Sequence, residues 1–163
     1  MTTPTLETTD LQLLARLQVD ASLSNQALAA LVHVSPPTCL RRIKRLHDVG
    51  LIERQIAVLN TDTLANVIGH GLTAVVEITL DRQDQAALEA FERRVQLEDA
   101  VQQCYRVSPG PDFCLVVHAA NMPDYLAMSQ RLFTADANVR NVKTFFSIKR
   151  SKFGARLPLP AAL

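Results

Sequence analysis

The sequence predicts an α+β protein in two parts, a winged helix-turn-helix followed by a βαββαβ ferredoxin-like sheet. Three observations carry that expectation. A basic helix with marked ends, Ser35 to Gly50, follows two short amphipathic helical stretches at tight spacing. Strand-like alternation begins only beyond residue 70. Four such strand segments are then interleaved with two helical ones in the order βαββαβ.

Thr8 or Thr9 can cap a first helix over 10–19, which carries Leu11, Leu14 and Leu17 at helical spacing. Asp20, Ala21 and Ser22 break it. Ser24 caps a second helix over 25–31 with an apolar stripe of Leu28, Leu31 and Val32, and His33-Val34 makes the turn. Ser35 is the N-cap of the third helix; Pro36 and Pro37 are tolerated in its first turn, where their missing N–H groups would have had no intrahelical partner. Gly50 takes the left-handed conformation that ends a helix.

At about 100° per residue, Cys39, Leu40, Ile43, Leu46 and His47 share one arc of this third helix. Thr38, Arg41, Arg42, Lys44 and Arg45 share the other. A basic face alone is commonly only solvated, but such a face usually mixes signs, and no acid occurs between Ser35 and His47. Helix, helix, tight turn and basic helix is the order of a helix-turn-helix, which lays its last helix in the major groove of double-stranded DNA. Ser35, Pro37, Thr38, Arg41, Arg42, Lys44, Arg45 and, beyond the helix, Arg54 are therefore the candidate DNA contacts, with Arg45 the member nearest to being merely solvated.

Residues 51–59, rich in branched side chains, are expected to extend as the wing, and 60–70 to form a connector with a short helical turn. The expected domains are 1–59, that connector, and 71–163. In the second domain, strands are expected over 72–80, 101–107, 113–119 and 142–149, with helices over 84–95 and 122–133. Ser108-Pro109-Gly110-Pro111-Asp112 is turn chemistry. Both helices fall on one side of the sheet. Val75, Val116, Val117, Phe145 and Phe146 suggest that the uncovered side meets another subunit.

The chain of 163 residues carries a formal net charge of +1, so any attraction for nucleic acid is local to the third helix. No basic-then-apolar leader and no run of about 18 apolar residues is present, which points to a cytoplasmic protein with no membrane partner. Cys39, Cys104 and Cys114 are odd in number and lack CxxC spacing, favouring buried reduced thiols over metal or disulfide roles. A Cys/His nucleophilic pair between His118 and Cys104 or Cys114 is conceivable, but no third orienting group accompanies it, so no catalytic residue or cofactor is expected.

The chain resembles the Lrp/AsnC, or feast/famine, family of bacterial and archaeal transcription regulators. In the first domain the resemblance rests on Leu6, Asp10, Leu13-Leu14, Leu17, Asp20-Ala21, Leu23-Ser24-Asn25, the run from Val34 to Leu46, Gly50-Leu51-Ile52 and Leu59-Asn60. In the second it rests on Val76 to Leu80, Val107-Ser108 with Asp112-Phe113, and the tail from Lys149 to Leu159. It implies a RAM-type second domain that dimerises, assembles further to tetramers or octamers, and binds a small effector such as an amino acid between subunits. It also implies that Ser108, Gly110 and Asp112 line the effector pocket, with Asp112 either pairing an ammonium or building its own turn. Two departures stand out. Gln55 occupies a wing position where the family usually shows Tyr, and Pro109 occupies the place of a glycine, removing a backbone donor. An effector-independent regulator or a DNA-architectural protein is the alternative, and a small-molecule-binding or enzymatic module a more distant one.

Overall fold

The computed structural model describes residues 5–69 and 71–160. The chain divides into two compact units, Met1–Val58 with Lys152–Leu163, and Leu59–Ser151.

The first unit holds α1 (Thr8–Leu17), α2 (Asn25–Leu31) and α3 (Pro36–Asp48). Their shared core is Leu13, Leu28, Ala29, Val32, Cys39 and Leu46, which are all buried. α1 begins two residues earlier than its threonines suggest, because Asp10 at the third helical position reaches back and accepts the Glu7 N–H at 2.9 Å. α2 starts where Ser24 caps it, its hydroxyl accepting from the Ala27 N–H. His33 has φ 55 and Gly50 φ 75, so left-handed residues follow both α2 and α3.

Two expectations change here. Residues 51–59 form no strand among the described residues, and Ile56, Val58 and Leu59 are exposed. Branched residues favour an extended backbone, but a β-ladder also needs a partner strand, and no described segment of this chain supplies one. The tail 152–160, placed by composition with the second domain, falls with the first unit instead. Gln18 of α1 grips it as a strand partner would: the Leu157 N–H donates to Oε1 at 2.6 Å and Nε2 donates to the Leu157 carbonyl at 3.3 Å. That contact joins residues 139 apart in sequence and leaves no periodic signal.

The second unit begins with α4 (Thr61–Ile68), so most of the expected connector is helix. It continues as β1 (Leu72–Leu80), α5 (Gln85–Val95), β2 (Val101–Arg106), β3 (Phe113–Ala119), α6 (Met122–Ser129) running into a π-turn at Gln130–Thr134, and β4 (Val139–Phe146). The antiparallel order β2-β3-β1-β4 is that of a ferredoxin-like sheet. Alternate residues of β1 and β3, among them Val76, Ile78, Leu115 and Val117, lie beneath Phe91 and Val95 of α5 and Tyr125 and Met128 of α6. β4 starts three residues before its predicted position, since a bulge opposite Thr79 and Leu80 extends the ladder to Val139.

On the opposite side of the sheet Val75 pairs with Val116 on one flank and Phe145 on the other. Val117 and Phe146 instead belong to the helix-covered side, where Phe146 meets the Tyr125 ring edge-on at 5.0 Å. The apolar surface expected on the uncovered side is therefore narrower than the sequence suggested. No helix among the described residues is long and apolar enough to cross a membrane.

Candidate functional site

α3 presents two chemically different basic edges. Pro37, Leu40, Arg41 and Lys44 are exposed along its outward arc, and neither Arg41 nor Lys44 forms an ion pair among the described residues. Leu40, expected in the core, is 60% exposed there, and His47 is exposed as well. The helix is rotated relative to the sequence-derived arc because Cys39 and Leu46, about 20° apart in projection, set its inward direction. Ser35 occupies the N-cap, but its hydroxyl donates to Thr38 Oγ1 at 2.9 Å rather than capping the backbone.

Arg42 and Arg45, expected to face DNA, turn toward α1 instead. Arg42 donates to Asp10 Oδ1 at 3.0 Å and to Glu7 Oε2 at 2.6 Å. Arg45 donates to Asp10 Oδ2 at 2.5 Å and to the Thr5 carbonyl at 3.2 Å. The acids missing from the basic helix are thus supplied by α1, across more than 30 residues, which no local pairing rule could reveal. Asp10 is fully buried, and burial alone would push its carboxyl up; the Glu7 N–H and the two guanidiniums outweigh this and hold it below the usual carboxylate range. Glu7 and then Asp10 raise the Arg42 guanidinium further above its ordinary value, which keeps the charge fixed. The network clamps α3 to α1 and so sets which residues face outward.

Arg54 lies on the exposed irregular segment after α3 and, among the described residues, forms one ion pair, with Glu53 at 3.8 Å. Such an exposed contact contributes little.

The loop 108–112 sits at the far ends of β1 and β3. The Ser108–Pro109 peptide is cis and Gly110 has φ 124, a value that favours glycine. Ser108 and Gly110 are exposed, whereas Asp112 is fastened into the sheet. Its Oδ2 accepts from the Leu80 N–H at 2.7 Å and from Gln83 Nε2 at 3.2 Å, and its own N–H donates to the Ile78 carbonyl at 2.8 Å. The side chain thus ties the loop to the end of β1 rather than closing its own turn. Asp112→Ala is expected to destabilise the second unit by about 1–3 kcal/mol, because the half-buried Leu80 N–H loses its acceptor; the unfolding midpoint of the variant checks this.

Cys104 and Cys114 lie on opposite faces of the sheet, since Cys104 pairs with the helix-facing Leu115 and Cys114 with Glu77. Of the thiols expected to be buried only Cys39 is: Cys104 is exposed and Cys114 half-buried, and partial desolvation, then Glu92, pushes the Cys104 thiol up. His118 Nδ1 instead lies 3.1 Å from Thr73 Oγ1.

Residues 6–47 match the AsnC-type helix-turn-helix domain, and residues 73–157 match the Lrp/AsnC ligand binding domain. An HTH-type transcriptional regulator of Haemophilus influenzae is 34% identical over 91% of this chain and 86% of its own. The leucine-responsive regulatory protein of Rhizobium meliloti is 33% identical over 90% of this chain and 92% of its own. Among solved structures, a transcriptional regulator of Neisseria meningitidis in complex with L-Met superposes with a TM-score of 0.81 at 27% identity, covering 94% of this chain and 97% of that one.

Proposed function

The chain belongs to the Lrp/AsnC family of DNA-binding transcription regulators, and from that premise we propose that it reads an operator through the outward arc of α3. Arg41 and Lys44, exposed and unpaired among the described residues beside Leu40, carry this reading. Arg41, near the helix N-terminus, suits a guanine edge, and Leu40 suits a thymine methyl. Lys44 and Arg54 suit phosphates, while Ser35, Pro37 and Thr38 bring the helix N-terminus to the backbone. Arg42 and Arg45 position α3 from behind.

Two copies join through the uncovered sheet side around Val75, Val116 and Phe145, and dimers assemble further. A two-fold dimer presents two copies of α3, so inverted half-sites about one helical turn apart, or a multiple of that, are the matching operator. The L-Met complex of the Neisseria relative supports an amino-acid-like effector here as well. Such an effector shifts DNA affinity only through unequal affinity for two states of the assembly. The protein works in the cytoplasm, where bacterial DNA lies, and performs no catalytic step.

Titrating the purified protein onto a duplex selected from a randomised pool tests the proposal. With Lys44 and Arg54 from each of two subunits engaged on phosphates, affinity is expected to fall about 100-fold between 50 and 200 mM salt. Binding that is indifferent to salt would overturn it.

A further inference from the structure

The tail from Arg156 to Pro160 docks on α1 through chemistry that its own sequence prepares. Pro158 and Pro160 have a fixed φ and no N–H, and each biases the leucine before it toward extended backbone, so Leu157-Pro158-Leu159-Pro160 is stiff before it meets anything. Docking such a segment costs little chain entropy. Leu157 presents both an N–H and a carbonyl, and the side-chain amide of Gln18 takes both: the N–H donates to Oε1 at 2.6 Å, and Nε2 donates to the carbonyl at 3.3 Å. Beside this grip Leu159 is half-buried, and it lines a cavity of about 220 Å³ together with Ala15 and the buried Leu11 of α1. The groove on α1 thus offers an apolar wall and one amide, which is what an extended leucine-proline segment can use.

Chain connectivity gives the docked tail a second property. The chain crosses between the two units twice, at Val58–Leu59 and again at Ser151–Lys152. Residues 147–160 contain no helix or strand, so the second crossing restrains the first unit only because Gln18 holds Leu157. Gln18 ends the same helix that carries Asp10, and Asp10 clamps α3 through Arg42 and Arg45. A tether on Gln18 therefore acts on the body that presents Arg41 and Lys44.

We infer that the groove on α1 is a docking site for this chain's own leucine-proline tail, and that the docked tail makes the protein selective for the spacing between the two half-sites of its operator. Once one α3 of a dimer is bound, its twin meets the second half-site at an effective concentration set by how the first units are tethered. Two tethers on each first unit concentrate that encounter at one spacing, whereas a single flexible tether spreads it over several. The spacing selectivity rests on the dimer and on the assignment of α3 to the operator; the docking of the tail does not.

Hydrogen exchange at the Leu157 amide of the full-length protein, in the absence of DNA, tests the docking. Gln18→Ala is expected to speed this exchange about tenfold or more, because the amide loses its acceptor and the tail its anchor. Arg16→Ala, at an exposed position of the same helix, is expected to leave it unchanged. Exchange as fast in the wild type as in Gln18→Ala would overturn the docked tail. Operator binding is then compared on duplexes with one half-site, with two at the preferred spacing, and with two moved apart by about five base pairs, half a helical turn. The wild type is expected to favour the preferred spacing about tenfold or more, and Gln18→Ala to favour it within about threefold, with affinity for one half-site unchanged. A Gln18→Ala protein that keeps the wild-type preference, or that loses affinity equally for all three duplexes, would overturn the role in spacing. Failure of the wild type to bind any duplex would instead overturn the assignment of α3, leaving the exchange result intact.

Discussion

Asp10→Ala is expected to destabilise the first unit by about 3 kcal/mol, because Asp10 is fully buried and holds both Arg42 and Arg45. Removing one member of a buried ion pair leaves the other charge uncompensated, and here two guanidiniums lose their shared partner. The Arg42 Nε has no acceptor among the described residues, and its side chain is only 20% exposed. Arg45, at 40%, can turn to water, which keeps the cost near the lower end of the usual range. Urea unfolding followed by a probe in the first unit measures the loss. In the double variant Asp10→Ala/Arg42→Ala the loss should be smaller than the sum of the two single losses, as expected for residues in one network.

The same network sets a pH dependence. The carboxyl of Asp10 is held below its ordinary range in the folded state, so it contributes stability that is fully present above the ordinary carboxylate pKa. That contribution is lost as pH falls through the lowered folded value. The difference in stability between wild type and Asp10→Asn should therefore shrink on acidification below the usual carboxylate range and stay constant near neutrality. A difference that grew on acidification would contradict the assignment.

Arg41→Ala combined with Lys44→Ala is expected to lower operator affinity at least 100-fold, since each change acts twice in a dimer and each lost base or phosphate contact carries about 1–3 kcal/mol or one unit of salt slope. The slope of log affinity against log salt should fall by about two, from the Lys44 of each subunit, and the stability should stay within about 0.5 kcal/mol of wild type. Arg42→Ala is expected to show the reverse pattern, weakening the fold of the first unit more than it weakens contact with DNA. An Arg41/Lys44 double variant that binds within threefold of wild type would place the interface elsewhere.

Of the fold, the elements with strong local signals were legible. Ser24 before α2, Ser35-Pro36-Pro37 before α3, and the alternation from Leu72 to Leu80 each fixed an element within a residue or two. These signals are local: caps, proline at the first turn and side-chain period depend on neighbours a few positions away. Of the candidate interface, the basic helix and its flanking turn were legible, and Arg41 and Lys44 are exposed on it as the sequence led one to expect.

The sequence by itself determined the order of elements, the presence of a cationic helix in a helix-turn-helix, and the ferredoxin-like sheet that follows it in the chain. Only the tertiary structure decided which cations face outward. Arg42 and Arg45 lie on the same cationic arc of α3 as Arg41 and Lys44, and a buried carboxylate on α1 draws the first pair inward. The same holds for Asp112, committed to the Leu80 N–H, and for the tail, gripped by Gln18. Each of these is a polar contact between residues more than 30 apart in sequence, where geometry rather than periodicity selects the partner.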